Sequence, residues 1–329
     1  MNDKPYVVSV GQAKLFPQQS AEECPALVEQ AGGAARFAWE EFVYGRLRNP
    51  GTRRAYLFAV RRFLGWCSQR EVDLVRIAPA HVGRYLDEQT QYLPATKKLH
   101  LSAFRHFFDE LVLRHVVLLN PALSVRSERM SVLEGKTPEI SVTQSRKLLG
   151  TMDCSTVVGL RDRAIVGIMI YTAARVGAVS KLRRGDFYNS GDQHCFRLME
   201  KGCKYRELPC RHDLRGFVLD YIEAAGLEYS EKISPLFLTT VRRTKKLTQN
   251  GMTANDMSRM VKRRLAEADL PTVFSPHSFR VCALTDLLTQ GVPLEDVQRL
   301  AGHADPRTTR LYDRRNKQVA RNIVERISI

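Results

Sequence analysis

Acidic residues are scarce in this chain relative to basic ones. Over 329 residues, 35 Asp and Glu stand against 51 Lys and Arg, a formal net charge of +16. That imbalance disfavours a cationic partner and points to a polyanion, because each phosphate neutralised by a protein cation releases a condensed counterion. Charge alone also fits a basic protein with no nucleic-acid role, since net charge speaks to association and not to fold. Paired cysteines are missing as well. Cys24, Cys67, Cys154, Cys195, Cys203, Cys210 and Cys282 are odd in number and contain no CxxC pair, which argues against a disulfide scaffold or zinc ribbon and predicts reduced thiols. Cys203 and Cys210 with His212 match no common metal spacing, and Cys203 and Cys210 read as strand residues. No metal site is expected. No stretch approaches the ~20 apolar residues of a membrane span, and the opening Met-Asn-Asp-Lys lacks a signal-length apolar run. The expectation is a soluble, cytoplasmic protein with no membrane partner.

What is present fits two domains, the prior for this length. Residues 1–33 have weak periodicity and read as a partly ordered leader. Phe37, Phe42, Val43 and Leu47 then predict one helix, stopped by Asn49-Pro50-Gly51. Thr52 is the expected cap of the next, where Tyr56, Val60, Phe63, Leu64 and Cys67 recur at helical spacing. Pro79 and Pro94 stand where first helical turns begin, and Phe104, Phe107, Phe108 and Leu111 line a core-facing side. Residues 34–123 thus form a helical domain, 124–140 a basic linker and 141–329 a second domain. In the latter, Ser141-Val-Thr-Gln-Ser starts a helix, and Ala164 to Tyr171 is a buried helix expected to deliver Arg175 at its end. Cys195–Met199 and Tyr205–Pro209 are two strands joined by a turn bearing Lys201. The fold class is mainly α with one small antiparallel β-sheet.

The chemistry concentrates near the end of the chain. His277 and Arg280 are three apart, one helical turn from each other. Gly302-His303 and Tyr312 follow at a spacing that one helix and a turn cover. Cations and imidazoles beside a tyrosine, with no carboxylate among them, suit a phosphodiester, and a tyrosine aimed at phosphate is a potential nucleophile. Arg175 and Lys201 bring the set to six. Arginine forks grip two phosphate oxygens at once. The lack of a carboxylate cluster argues against a two-metal mechanism.

In this order, Arg175, Lys201, His277-x-x-Arg280, Gly302-His303 and Tyr312 resemble the tyrosine recombinases, the phage-integrase family. Leu160-Arg-Asp-Arg-Ala-Ile, Leu182 to Asp186 and Thr309-Arg-Leu-Tyr312 agree, and the likeness covers roughly residues 34–325. It implies an N-terminal core-binding, SAM-like domain and a catalytic domain closing around double-stranded DNA that carries specific recombination sites. By the same resemblance, Tyr312 attacks the scissile phosphate to form a 3′-phosphotyrosyl link, and Arg175 and Arg280 clamp the non-bridging oxygens. Lys201 protonates the leaving 5′-oxygen, with Lys204 its competitor for that role. His277 assists proton transfer, and His303 hydrogen-bonds the phosphate. It further implies a Holliday junction, a homo-tetramer on synapsed DNA, possible accessory proteins and no cofactor, ATP or metal. Integration, transposon resolution or similar mobile-element recombination are the biological roles it suggests. Ala173-Ala174, Ala301 and Asp313 depart from the commonest family residues without removing a reacting group. A relaxing enzyme of the type IB topoisomerase kind and a DNA-binding regulator without catalysis are the rival readings.

Arg53 and Arg54, and Thr96, Lys97, Lys98 and His100, lie where the family's core-binding domain faces DNA, so phosphate positioning is expected of them. Arg242, Arg243, Lys245 and Lys246 form a charged loop, and Arg259, Lys262 and Arg263 a helical face; solvated surface is an equal reading for both. After Tyr312, Val319, Ile323 and Ile327 are spaced by four with Val324 beside them. That stripe packs either on its own domain or, as family members do, on a neighbouring protomer.

Overall fold

The computed structural model describes residues 23–127, 137–200, 204–241 and 244–313. The chain divides into two compact units, Met1–Ser131 and Val132–Ile329.

The first unit is all helical: α1 (Ala26–Gln30), α2 (Gly33–Glu40), α3 (Pro50–Ser68), α4 (Pro79–Glu88) and α5 (Pro94–Leu113). α1 falls within the expected leader, yet Leu27 and Val28 are buried in the core, so the leader's end is part of the fold. The single helix expected through Leu47 is α2 followed by a π-helical segment, Glu41–Arg46. The wider turn re-aims the apolar stripe: Trp39, Phe42 and Val43 are buried, whereas Phe37 is 46% exposed and lies under the Arg114 guanidinium. Asn49, not Thr52, caps α3. Its side chain accepts from Gly51 N at 2.9 Å and Thr52 N at 3.2 Å, with Pro50 in the first turn, where a missing N–H costs nothing. α5 lays Phe104, Phe107 and Phe108 against Phe63 of α3 and Trp39 of α2, rings 4.6–6.4 Å apart. Each such buried ring stabilises the unit by about 1.5–3 kcal/mol relative to exposure. Both ends of the expected linker belong to the cores: Val125 packs on the first unit and Ile140 is fully buried in the second.

The second unit contains α6 (Val142–Gly150), α7 (Val157–Tyr171), α8 (Val176–Val179), β1 (Phe187–Ser190), β2 (Gln193–Met199), β3 (Tyr205–Pro209), α9 (His212–Ala224), β4 (Leu238–Thr240), β5 (Leu247–Gly251), α10 (Ala254–Glu267), α11 (Pro276–Thr289), α12 (Leu294–Ala301) and α13 (Pro306–Arg310). The Ser141 start is real: Gln144 N donates to Ser141 Oγ at 3.1 Å, and Ser141 N donates to Gln144 Oε1 at 2.9 Å. α7 runs through the core against α9 and α11. Its Asp162, fully buried, accepts from Arg161, Arg263 and Arg264, which pairs a charge that would otherwise be costly. That network claims Arg263, one of the three cations of the expected helical face.

β1, β2 and β3 form an antiparallel sheet in which Phe187 faces Phe196 and Phe196 faces Leu208. A second two-stranded sheet, β4–β5, was not expected. Its strands are three and five residues long and polar, so they carry no alternation to read. Cys210 lies one residue beyond β3 rather than in it, and burial pushes its thiol up to about 12. The six described cysteines are free. Cys203, Arg242, Arg243 and the tail at Val319, Ile323, Val324 and Ile327 lie outside the described residues. No helix among the described residues is long and apolar enough to cross a membrane.

Candidate active site

α11 presents the first pair. Ser275 precedes the helix and its N–H donates to Ser278 Oγ at 3.1 Å, Pro276 occupies the first turn, and His277 and Arg280 follow one turn apart. Arg280 is 1% exposed. Its Nη1 donates to the Ala173 carbonyl, and its Nη2 donates to the Ala301 carbonyl at 2.5 Å and to His303 Nε2 at 2.7 Å. Nε is buried with no partner. No carboxylate among the described residues is bonded to this guanidinium. Burial, and then the neighbouring Arg175, pull it down to about 10, so it stays charged at neutral pH. A buried cation held only by neutral acceptors, with one donor unused, is arranged for an anion.

The Ala173 carbonyl reaches Arg280 because the chain turns sharply after α7. Ala173, fully buried, has φ +50°, a conformation that costs an alanine roughly 1–2 kcal/mol. Arg175 is not at the end of the buried helix as expected. It lies beyond this turn as the N-cap of α8, its carbonyl accepting from Ala178 N and Val179 N. Its Nη1 donates to Glu200 Oε2 at 2.6 Å, and its side chain is 41% exposed.

His303 follows α12 directly. Gly302 takes the left-handed C-cap conformation (φ +63°), which a side chain would strain, and this reversal swings the imidazole inward. A guanidinium only donates, so His303 Nε2 accepts from Arg280 and the ring proton sits on Nδ1, donating to Thr309 Oγ1 at 2.9 Å. Burial, then Arg280 and Arg175, hold this histidine down at about 4. Both ring nitrogens of His303 are thus engaged, Nε2 by Arg280 and Nδ1 by Thr309.

Tyr312 follows α13. It is 8% exposed, and its ring stacks on His303 at 5.7 Å. Its hydroxyl meets His277 Nε2 at 3.3 Å. His277 is exposed at the surface of α11, yet partial desolvation by surrounding protein, then Arg280 and Arg175, lowers its pKa. The lowered pKa favours the neutral ring at pH 7, the form in which one ring nitrogen is free to accept a hydrogen bond.

Five of the six expected site residues thus converge: Arg175, His277, Arg280, His303 and Tyr312. Lys201 lies outside the described residues. Its competitor Lys204 is exposed, and the Lys204 carbonyl accepts from Glu200 N at 2.8 Å, closing the turn between β2 and β3. The expectation of a site without carboxylates is corrected by Glu200, whose other oxygen accepts from Arg206 Nη2 at 2.8 Å. Three residues were missed: Glu200, Arg206 and Thr309. Glu200 and Arg206 lie diagonally across the β2–β3 hairpin, beside the pair Leu198–Arg206, on the face where Leu198 is fully buried. A register argument finds them. Among the described residues, no group of three or more His, Cys, Asp or Glu side chains is placed to hold a metal.

In the first unit, Arg54 and Lys98 are exposed, and Thr96 and Lys97 are half-buried at the start of α5. Arg53 is half-buried, its Nε donating to the Leu47 carbonyl and its guanidinium lying over Tyr44. His100 is a correction. It is 1% exposed, with Tyr92, Tyr85, Phe58 and Phe104 around its ring, and so presents nothing to DNA. It shares the helical face of Phe104, Phe107 and Leu111, which is why it goes inward.

The sequence matches the description "Phage integrase family" over residues 140–319 and "Phage integrase, N-terminal SAM-like domain" over residues 40–115. Among curated proteins it is 24% identical to tyrosine recombinase XerC of Leptospira interrogans, over 80% of this chain and 83% of that one. It is 27% identical to tyrosine recombinase XerD of Ralstonia nicotianae, over 80% and 84%. Among solved structures, the fold matches XerH site-specific recombinase bound to palindromic difH substrate in a post-cleavage complex, with a TM-score of 0.68 and 19% identity over 90% of this chain and 86% of that one. A lambda integrase dimer bound to a COC′ core site matches with a TM-score of 0.62 and 15% identity over 85% and 75%.

Proposed function

Because the chain belongs to the phage integrase family of site-specific tyrosine recombinases, we propose that it cuts and rejoins double-stranded DNA at specific sites with Tyr312 as nucleophile. The phenolic oxygen attacks phosphorus, the bond to the 5′-oxygen breaks, and a 3′-phosphotyrosyl ester remains. The phenol's proton passes to His277 Nε2, and the departing 5′-oxygen takes a proton from Lys201. Arg280 and Arg175 bind the non-bridging oxygens, favouring the more charged transition state over the ground state. One ester replaces another, so the phosphodiester's energy is retained for rejoining and no nucleotide is consumed.

The observation that carries this reading is the buried Arg280 guanidinium, with an unused donor and no acidic partner among the described residues, beside a tyrosine hydroxyl already 3.3 Å from the His277 imidazole. XerH bound to difH substrate and a lambda integrase dimer bound to a COC′ core site share this fold, which supports double-stranded DNA as the substrate. Arg53, Arg54, Thr96, Lys97 and Lys98 are proposed to position its phosphates. Recombination between two bound sites requires several protomers, and a homo-tetramer is proposed, with the apolar stripe beyond Tyr312 docking on a neighbour.

The test is covalent trapping. Purified protein is incubated with sheared genomic DNA from its own source, denatured, and the protein-linked fragments are recovered. Wild type must yield fragments attached through Tyr312, and Tyr312→Phe none. Binding without any adduct from wild type supports a regulator instead and sinks the reading.

A further inference from the structure

Glu200 is an acidic side chain inside a cationic cluster, and no step above uses it. It follows β2 directly, with its backbone tied to Lys204 across the turn. Its carboxylate is only 9% exposed and is shared between two arginines, Arg175 Nη1 at 2.6 Å and Arg206 Nη2 at 2.8 Å. Arg206 is the deeper of the two. Its side chain is 12% exposed, its Nε and Nη1 are buried without partners, and burial lowers its pKa while Glu200 opposes that.

Two roles are distinguishable on physical grounds. A placeholder would occupy Arg175 and leave when phosphate arrives. Departure would strand Arg206, whose described acceptor is Glu200 alone, as a buried cation without compensation; breaking such pairs is strongly unfavourable. The carboxylate therefore stays. It grips Arg175 through one terminal nitrogen, on the buried side, while the guanidinium remains 41% exposed. A free arginine carries a large rotamer entropy, and a planar fork set in advance loses less on binding.

We propose that Glu200 and Arg206 form a positioning pair for Arg175: Arg206 fixes the carboxylate from the protein side, and the carboxylate turns the remaining N–H donors of Arg175 toward the scissile phosphate. The inference rests on the DNA-cleaving reading. The pair acts through Arg175 and touches no substrate.

The experiment uses the full-length protein and a suicide duplex built from a fragment trapped by wild type. Two quantities are read: the single-turnover cleavage rate at saturating protein and the protein concentration giving half-maximal binding. Glu200→Gln accepts from only one arginine and turns its amide N–H groups on the other. It is expected to slow cleavage by roughly 10- to 100-fold, the usual loss when an orienting partner is removed, with half-maximal binding unchanged. Arg206→Met, which removes the support from behind, is expected to do the same. The double variant should cleave no more slowly than Glu200→Gln, because both act through one contact. Thermal melts of each variant must lie above the assay temperature. Cleavage by Glu200→Gln at or above the wild-type rate overturns the proposal, as does a double variant whose loss is the product of the single losses. Absence of any wild-type adduct overturns the cleavage reading itself, a different result.

Discussion

His303 makes the stability of the catalytic unit depend on pH in a way that can be calculated. In the unfolded chain its pKa returns to about 6.5; in the fold, burial and the arginines hold it at about 4. Between those values the unfolded state binds a proton that the folded state refuses, so stability falls as pH falls. The contribution is fully present above pH 6.5 and is lost progressively down to about 4. The whole gap amounts to about 3 kcal/mol at roughly 1.4 kcal/mol per pH unit. Going from pH 7.5 to pH 5 takes away about 2 kcal/mol, or about 4–8 °C in melting temperature for a unit of this size. The assay compares wild type with His303→Gln, whose amide oxygen still accepts from Arg280 but does not titrate. His100, His106, His194 and His277 are also held below their ordinary values, so wild type loses stability from several sources. The quantity that isolates His303 is the difference between the two proteins' losses. The glutamine variant must lose about 2 kcal/mol less over this interval. Equal losses would refute the claim that His303 is held neutral by its surroundings.

Other perturbations separate binding from chemistry and packing from function. Arg175→Ala and Arg280→Ala should each bind a trapped-fragment duplex in a mobility-shift assay yet cleave it at least about 10²-fold more slowly, since charge stabilisation in the transition state is their proposed part; normal cleavage by either disproves the clamp. Gly159→Ala should destabilise the catalytic unit by more than about 3 kcal/mol in denaturant melts. A Cβ there would sit 1.7 Å from the Asp153 carbonyl oxygen, and a stable variant would show that the turn before α7 yields easily. Deletion of residues 318–329 should leave binding to one site intact and abolish pairing of two sites in a gel; unchanged pairing refutes docking of the tail on a neighbour.

The convergence of His277, Arg280 and His303 was legible because short spacings encode it: a helical turn between His277 and Arg280, a glycine turn before His303. The α5 core was legible from the apolar period, and the same period correctly followed would have placed His100 inside. What escaped depends on geometry across separate segments. Arg175 was assigned to the end of α7 because nothing in Tyr171-Thr-Ala-Ala announces that Ala173 adopts a left-handed conformation usually left to glycine. Glu200 and Arg206 become neighbours only once the hairpin register is fixed. Thr309 reads as a helix residue until His303 is folded against it. The π-helical stretch after α2 has no period of its own to detect, and β4–β5 is too short and polar to alternate.

The same electrostatics that makes the cluster costly sets its protonation states. Burial costs Arg280 part of its own basicity, pulling it down to about 10, and that loss is tolerable only if the charge is useful. Its field, with that of Arg175, adds to burial in keeping His277 and His303 neutral. Neutrality is what the proposed mechanism asks of His277, which would accept the phenol's proton, and what lets His303 accept from Arg280. On that proposal the arginines prepare the base as well as the phosphate site. Glu200 limits the excess by neutralising one positive charge at the Arg175–Arg206 end, leaving Arg280, which has no such partner among the described residues, with an unmet demand for an anion. A phosphodiester entering there would satisfy Arg280 and, by cancelling its field, raise the affinity of His277 for a proton, which is what Tyr312 as the proposed nucleophile requires.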